Sequence, residues 1–257
     1  YFSDPITTAC AILMRYRANM VHVARIDKLS DDAKIPKETK KYMTNTENLF
    51  FTEKYDFYKG KEKTDFLFHI DKLKSDTEVL EEINLTIHEG EYVVLTGENG
   101  SGKSMFLNLL FGNVKLSFSR GGFILTDEMD EAAFLTYPIF TVDGDFMKNM
   151  YEIPIDKELM HLLQVDFSDK EILSNPVNLS YGQQQKLALL RVFGLNSPIL
   201  FLDEPLSNLD KKTQENVVAY IRKLKGEKTI LVVMHSDELD EAADSVIYIE
   251  NKKLIQK

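Results

Sequence analysis

The chain has 257 residues, 44% of them hydrophobic and 28% charged, with a formal net charge of −10. That is enough apolar material for one sizeable core, while the acidic balance argues against nucleic acid as a partner, since phosphate backbones call for a basic face. A single cysteine, Cys10, excludes an intrachain disulfide and fits a reducing, cytosolic setting.

Residues 4–28 read as a helix, with Asp4 and Pro5 at its start and apolar residues at Ile6, Ala9, Cys10, Leu13, Val21, Ala24 and Ile26. The apolar run over 9–14 is broken by Arg15, far short of the roughly 20 residues a membrane span needs. The start at Tyr1 reads as the boundary of a piece cut from a longer polypeptide. Residues 29–65 are polar and lysine-rich, interrupted by Pro36 and Gly60, and read as a linker. From residue 66 the texture changes. Strands are expected over 66–70, 79–87 and 92–95, a helix over 103–111, and short apolar segments over 123–125 and 132–135. Residues 144–196 read as mostly helical. A strand over 199–202, a helix over 211–225, and strands over 229–234 and 246–249 complete the series. Continuous apolar strands alternating with helices predict an α/β fold, a parallel sheet covered on both faces.

The run Gly97-Glu98-Asn99-Gly100-Ser101-Gly102-Lys103-Ser104 fits the phosphate-loop pattern G-x-x-x-x-G-K-[ST]. Its glycines let the backbone approach phosphates, and the helix that follows aims free N–H groups at an anion. In that reading Lys103 reaches the β- and γ-phosphates of ATP, and Ser104 ligates Mg²⁺. The context required of the pattern, a strand before and a helix after, is present.

A second signal is the apolar run 199–202, which ends in Asp203, Glu204 and Pro205. A buried strand delivers Asp203 at its carboxyl end, where open α/β sheets bind ligands. Asp203 is the expected metal ligand, and Glu204 the base that orients and deprotonates the attacking water. An acidic pair after a strand is usually only solvated; the phosphate loop upstream changes that reading.

The segment Leu179-Ser180-Tyr181-Gly182-Gln183-Gln184-Gln185-Lys186 resembles the signature of ABC ATPases. Ser207-Asn208-Leu209-Asp210 resembles their D-loop, and His235, 31 residues beyond Glu204, their switch histidine. The resemblance covers residues 66–257 and sets ABC proteins apart from other P-loop NTPases. It implies a P-loop core with an antiparallel β subdomain and a helical signature subdomain over about 137–196. It also implies a head-to-tail dimer, with Ser180 and Gly182 covering ATP on the phosphate loop of a second nucleotide-binding domain, and Asp210 near that nucleotide. Residues 4–28 resemble the cytoplasmic end of the last transmembrane helix of fused exporters. By that likeness the domain works at the cytoplasmic face of the membrane, joined to a transmembrane domain of the same transporter. A soluble non-transport ABC ATPase and a weakly hydrolysing regulatory subunit stay open as alternatives.

The sequence departs from the family pattern in four places. Thr136 or Tyr137 stands where the Q-loop glutamine is expected. No aromatic occurs over 72–76, where the adenine-stacking residue is expected. Tyr181 replaces a signature glycine and Lys186 a common arginine. The stretch 172–176 lacks the exporter motif of acidic residues and glycine.

Overall fold

The computed structural model describes residues 66–75, 80, 83–111, 118–125, 132–135, 137–151, 153–235 and 241–256. The helix expected over 4–28, the linker over 29–65 and Thr136 lie outside the described residues. The strands are β1 (Phe66–Ser75), β2 (Ile83–His88), β3 (Tyr92–Gly97), β4 (Phe118–Leu125), β5 (Ala133–Leu135), β6 (Ile199–Asp203), β7 (Thr229–Val233), β8 (Ser245–Glu250) and β9 (Lys253–Gln256). The helices are α1 (Lys103–Phe111), α2 (Phe146–Asn149), α3 (Lys157–Leu162), α4 (Tyr181–Gly194) and α5 (Lys211–Leu224).

The larger sheet has the order β5-β6-β7-β3-β8-β9, parallel from β5 to β8 with β9 antiparallel at one edge. A second sheet, β2-β1-β4, is antiparallel. Both match the expected architecture. The residues of β3, β6 and β7 from Tyr92 to Leu95, Ile199 to Leu202 and Ile230 to Val233 are all at most 1% exposed. Strands this apolar have to be covered on both faces. Their side chains alternate accordingly. Tyr92, Val94, Leu200, Leu202, Ile230 and Val232 pack with Leu187 and Leu190 of α4 and Val217 and Ile221 of α5. Val93, Leu95, Phe201 and Leu231 face the other way, onto Phe106, Leu107 and Leu110 of α1 and the inner residues of β2. Phe111 lies 4.6 Å from Phe134 and 5.4 Å from Phe201, ring centre to ring centre. Each such contact is worth about 0.5–1.5 kcal/mol beyond area burial, and together they hold the end of α1 beneath the sheet.

Helix α5 is a simple amphipathic case. Asp210 caps it by accepting from the Thr213 N–H, and Thr213, Val217, Ile221 and Leu224 form its buried stripe. Helix α4 starts with a capping box: Ser180 accepts from Gln183 N, and the Gln183 side chain accepts from Ser180 N.

Several boundaries differ from expectation. β1 is ten residues long rather than five, and β9 was not foreseen. The stretch 144–196 is not mostly helical. Its described residues hold three helices, two of them of four and six residues, and a long irregular passage over 163–180. That passage is rich in turn formers (Asp166, Ser168, Asp169, Asn175, Pro176, Asn178), and it is held by pairing rather than by helix. Gly144 and Ile172 exchange backbone hydrogen bonds at 2.9 and 2.7 Å, and Ser174 donates through N and Oγ to Asp143.

Candidate nucleotide site

The order β6-β7-β3 puts three strand ends side by side, and each carries a residue singled out from the sequence. β3 runs into the loop 97–102, β6 ends on Asp203 and Glu204, and β7 is followed by Met234 and His235. This is the carboxyl edge of a parallel sheet, where such folds bind ligands.

Gly97, at φ 146, opens the loop, and a Cβ there would collide with the carbonyl of Ile249. Only glycine lets β3 pass this close to β8 before turning. Lys103 is 5% exposed, and its Nζ lies inside the loop, donating to the carbonyls of Gly97 (2.8 Å) and Glu98 (2.9 Å). Ser101 Oγ and Thr96 Oγ1 are buried with no hydrogen-bond partner. Glu98, Asn99 and Gly100 are exposed at the rim.

Ser104 Oγ donates to Asp203 Oδ1 at 2.9 Å, joining the start of α1 to the end of β6. Burial pushes the Asp203 carboxyl up to about 6. The Ser104 hydrogen bond and the Lys103 charge oppose that rise, and the neighbouring Glu204 charge adds to it. Glu204 has φ 47, a left-handed conformation uncommon for a residue with a side chain. Its Oε1 is 3.9 Å from His235 Nε2. The residue expected as the base and the residue resembling the switch histidine thus meet, though 31 positions separate them.

The signature residues lie beside this edge. Ser180 is exposed and engaged as the α4 cap. Gly182 packs so closely that a Cβ would stand 2.7 Å from the Asn208 carbonyl. Asp210 is the α5 cap; Thr213 donates to its carboxylate through N and Oγ1, which holds that group below its ordinary value. Lys186 donates to the Gln164 carbonyl and lies 3.8 Å from Asp210. Tyr181 and Tyr137 are both exposed.

Two buried polar residues were not anticipated. Gln185 donates to the carbonyls of Glu204 (3.3 Å) and Pro205 (3.1 Å). Arg191 donates from Nε to Asn149 O (2.7 Å) and from Nη1 to Phe140 O (2.8 Å), over the Tyr151 ring. Burial brings the Arg191 guanidinium down to about 10. The signal available for Gln185 was helical spacing, since it shares a stripe with Ala188, Leu189 and Val192.

Fold and site together define an ATPase cassette of the P-loop class, with an ABC-type signature helix. Residues 80–207 match the ABC transporter family, and the chain belongs to it. That match includes the phosphate loop, the signature and the acid pair; Asp210 and His235 lie beyond it.

Among its relatives, an ATP-dependent lipid A-core flippase of Neisseria meningitidis serogroup B is 32% identical over 203 residues, 69% of this chain and 32% of that protein. A probable ABC transporter ATP-binding/permease protein of Haemophilus influenzae is 29% identical over 205 residues, 70% of this chain and 36% of that protein. The chain therefore spans about a third of the length of these relatives. Among solved structures, a bacterial Atm1-family ABC exporter with ATP bound shares the fold at TM-score 0.63 and 18% identity, covering 79% of this chain and 41% of that one. An ATP-binding cassette in a dimeric post-hydrolysis state bound to ADP and Pi does so at TM-score 0.58 and 23% identity, covering 74% and 97%. No described helix is long and apolar enough to cross a membrane.

Proposed function

We propose that this chain binds and hydrolyses ATP as the nucleotide-binding domain of an exporter, at the cytoplasmic face of the membrane. One observation carries the reading: the phosphate loop, the Asp203–Glu204 pair and His235 sit on adjacent strand ends. Residues 66–257 form the ATPase domain, with the signature subdomain over about 137–196.

The loop residues Gly97, Glu98, Asn99, Gly100, Ser101 and Gly102 wrap the phosphates with backbone N–H groups. Lys103 exchanges its carbonyl partners for phosphate oxygens, and the buried Ser101 hydroxyl is a further donor suited to them. Ser104 and Asp203 would hold Mg²⁺; their 2.9 Å contact sets a hydroxyl and a carboxylate together, a donor set that suits a hard cation. The ion, once bound, neutralises charge on the phosphates. Glu204 accepts the proton of the attacking water, and His235 orients the γ-phosphate and the Glu204 carboxylate. Ser180 and Gly182 cover ATP held by a second nucleotide-binding domain, and Asp210 supports that interface through α5. Closure of the pair on ATP is a population shift driven by contacts made only in the closed state. The names of the fused relatives, a flippase and an ATP-binding/permease protein, support a transmembrane partner in the same polypeptide.

The test is Mg-ATP hydrolysis as a function of protein concentration, beside Glu204→Gln. The rate per molecule is expected to rise with concentration and to vanish in the variant. A rate per molecule that stays flat while the protein remains monomeric would remove the dimer mechanism. A second reading, a weakly hydrolysing subunit of a heterodimer, is favoured by Thr136 and Tyr137 in place of a glutamine. It predicts ATP binding without turnover until an unlike partner is added.

A further inference from the structure

We propose that Gln185 is a positioning residue for the Glu204 carboxylate; this rests on the reading of Glu204 as the base. Along β6 successive side chains point to opposite faces, so an extended continuation would send Glu204 away from the face that Asp203 serves. The chain avoids this by placing Glu204 at φ 47, which re-aims its carboxylate towards His235. A left-handed residue that is neither glycine nor asparagine reverts unless its surroundings hold it.

Within its own turn, the Glu204 carbonyl receives only a 3.2 Å bond from the Ser207 N–H. A further restraint comes from Gln185, 5% exposed, whose Nε2 donates to Glu204 O and Pro205 O together. One amide thus fixes two successive peptide planes, those that follow Glu204 and Pro205. Neighbouring contacts also set α4 against this segment. Gly182 abuts the Asn208 carbonyl, and Lys186 reaches Asp210. The three neighbouring glutamines do different work: Gln183 closes the capping box, Gln184 donates to Leu179 O, and Gln185 alone of the three turns inward to the acid pair.

The proposal predicts a specific kinetic signature. Losing the donor misplaces a base used only in the transition state, so kcat falls while ATP binding stays. Gln185→Leu keeps the volume and removes both donations; kcat is expected to drop about tenfold to a hundredfold, with KM for ATP within about twofold. Gln185→Glu supplies a second readout. Its buried carboxyl can donate only when protonated, so its rate relative to the unaltered chain should rise as pH falls from about 8.5 to about 6.5. Both are assayed on the whole chain, below the melting midpoint of each variant. An unchanged kcat in Gln185→Leu, or equal losses in kcat and ATP affinity, would overturn the proposal. Should Gln185→Leu fail to fold, Gln185→Glu decides: a rising ratio supports the role and a flat one overturns it. If Glu204→Gln hydrolyses ATP normally, the reading of Glu204 fails and takes this proposal with it; if the unaltered chain turns over only with an unlike partner added, the same comparisons are made in that pair and decide in the same way.

Discussion

Removing the charge of Asp203 should make the nucleotide-free domain more stable while disabling it. The Asp203 carboxyl is pushed from its ordinary 3.8 to about 6, chiefly by burial. The sign follows from proton uptake. Between those two pH values the folded state holds a proton that the unfolded state has lost, so stability falls as pH rises, and the penalty is complete above about 6. At 1.36 kcal/mol per tenfold, the ceiling is about 3 kcal/mol. Partial exposure of the group lowers this, and about 1–2 kcal/mol is the working expectation. Asp203→Asn keeps the shape and an oxygen for the Ser104 hydroxyl. For a domain of this size the melting midpoint should rise by about 2–8 °C at neutral pH. The assay is thermal unfolding of both proteins without nucleotide or Mg²⁺, at neutral pH and again near pH 4. The advantage should shrink through the window from about 6 to 3.8 and be absent below it. The variant should also lose Mg-dependent hydrolysis. A variant no more stable at neutral pH, or an advantage that ignores pH, would refute the argument that burial of this charge is costly.

Two further substitutions test the packing around the site. Gly182→Ala puts a methyl 2.7 Å from the Asn208 carbonyl, a backbone atom that must move; a cost of about 1–3 kcal/mol and a lower hydrolysis rate are expected, and unchanged melting and turnover would contradict the contact. Arg191→Ala removes the donors to Asn149 O and Phe140 O and the cation over Tyr151. A loss of about 3 kcal/mol in denaturant titrations is expected, with faster amide exchange over 140–151; an undiminished midpoint would show that those carbonyls find other partners.

The site was legible to different depths. The strand-loop-helix context of the phosphate-loop pattern could be read whole, because the pattern is local: glycines at fixed spacing, a lysine, a serine, a strand before and a helix after. The helix expected over 103–111 is α1 residue for residue. The acid pair was legible for the same reason, as four apolar residues ending in two carboxylates. The passage over 163–180, inside the stretch expected to be mostly helical, is irregular instead, because Ile172 pairs with Gly144 and Asp143 holds Ser174. Those partners are about thirty positions away, beyond any local pattern.

By itself the sequence determined which chemistry the chain carries, since residue types and short spacings decide which groups can bind a phosphate or accept a proton. Only the tertiary structure decided who meets whom. Glu204 faces His235 because β6 and β7 are neighbours, and they are neighbours because their apolar faces must both be covered. Gln183, Gln184 and Gln185 are one residue type in a row. Which of them reaches the acid pair depends on how far α4 is rotated about its axis, and that rotation is set by burying Leu187, Leu190 and their neighbours against the sheet. A side chain's identity is local, whereas its partner is chosen by the burial of surfaces far apart in the chain.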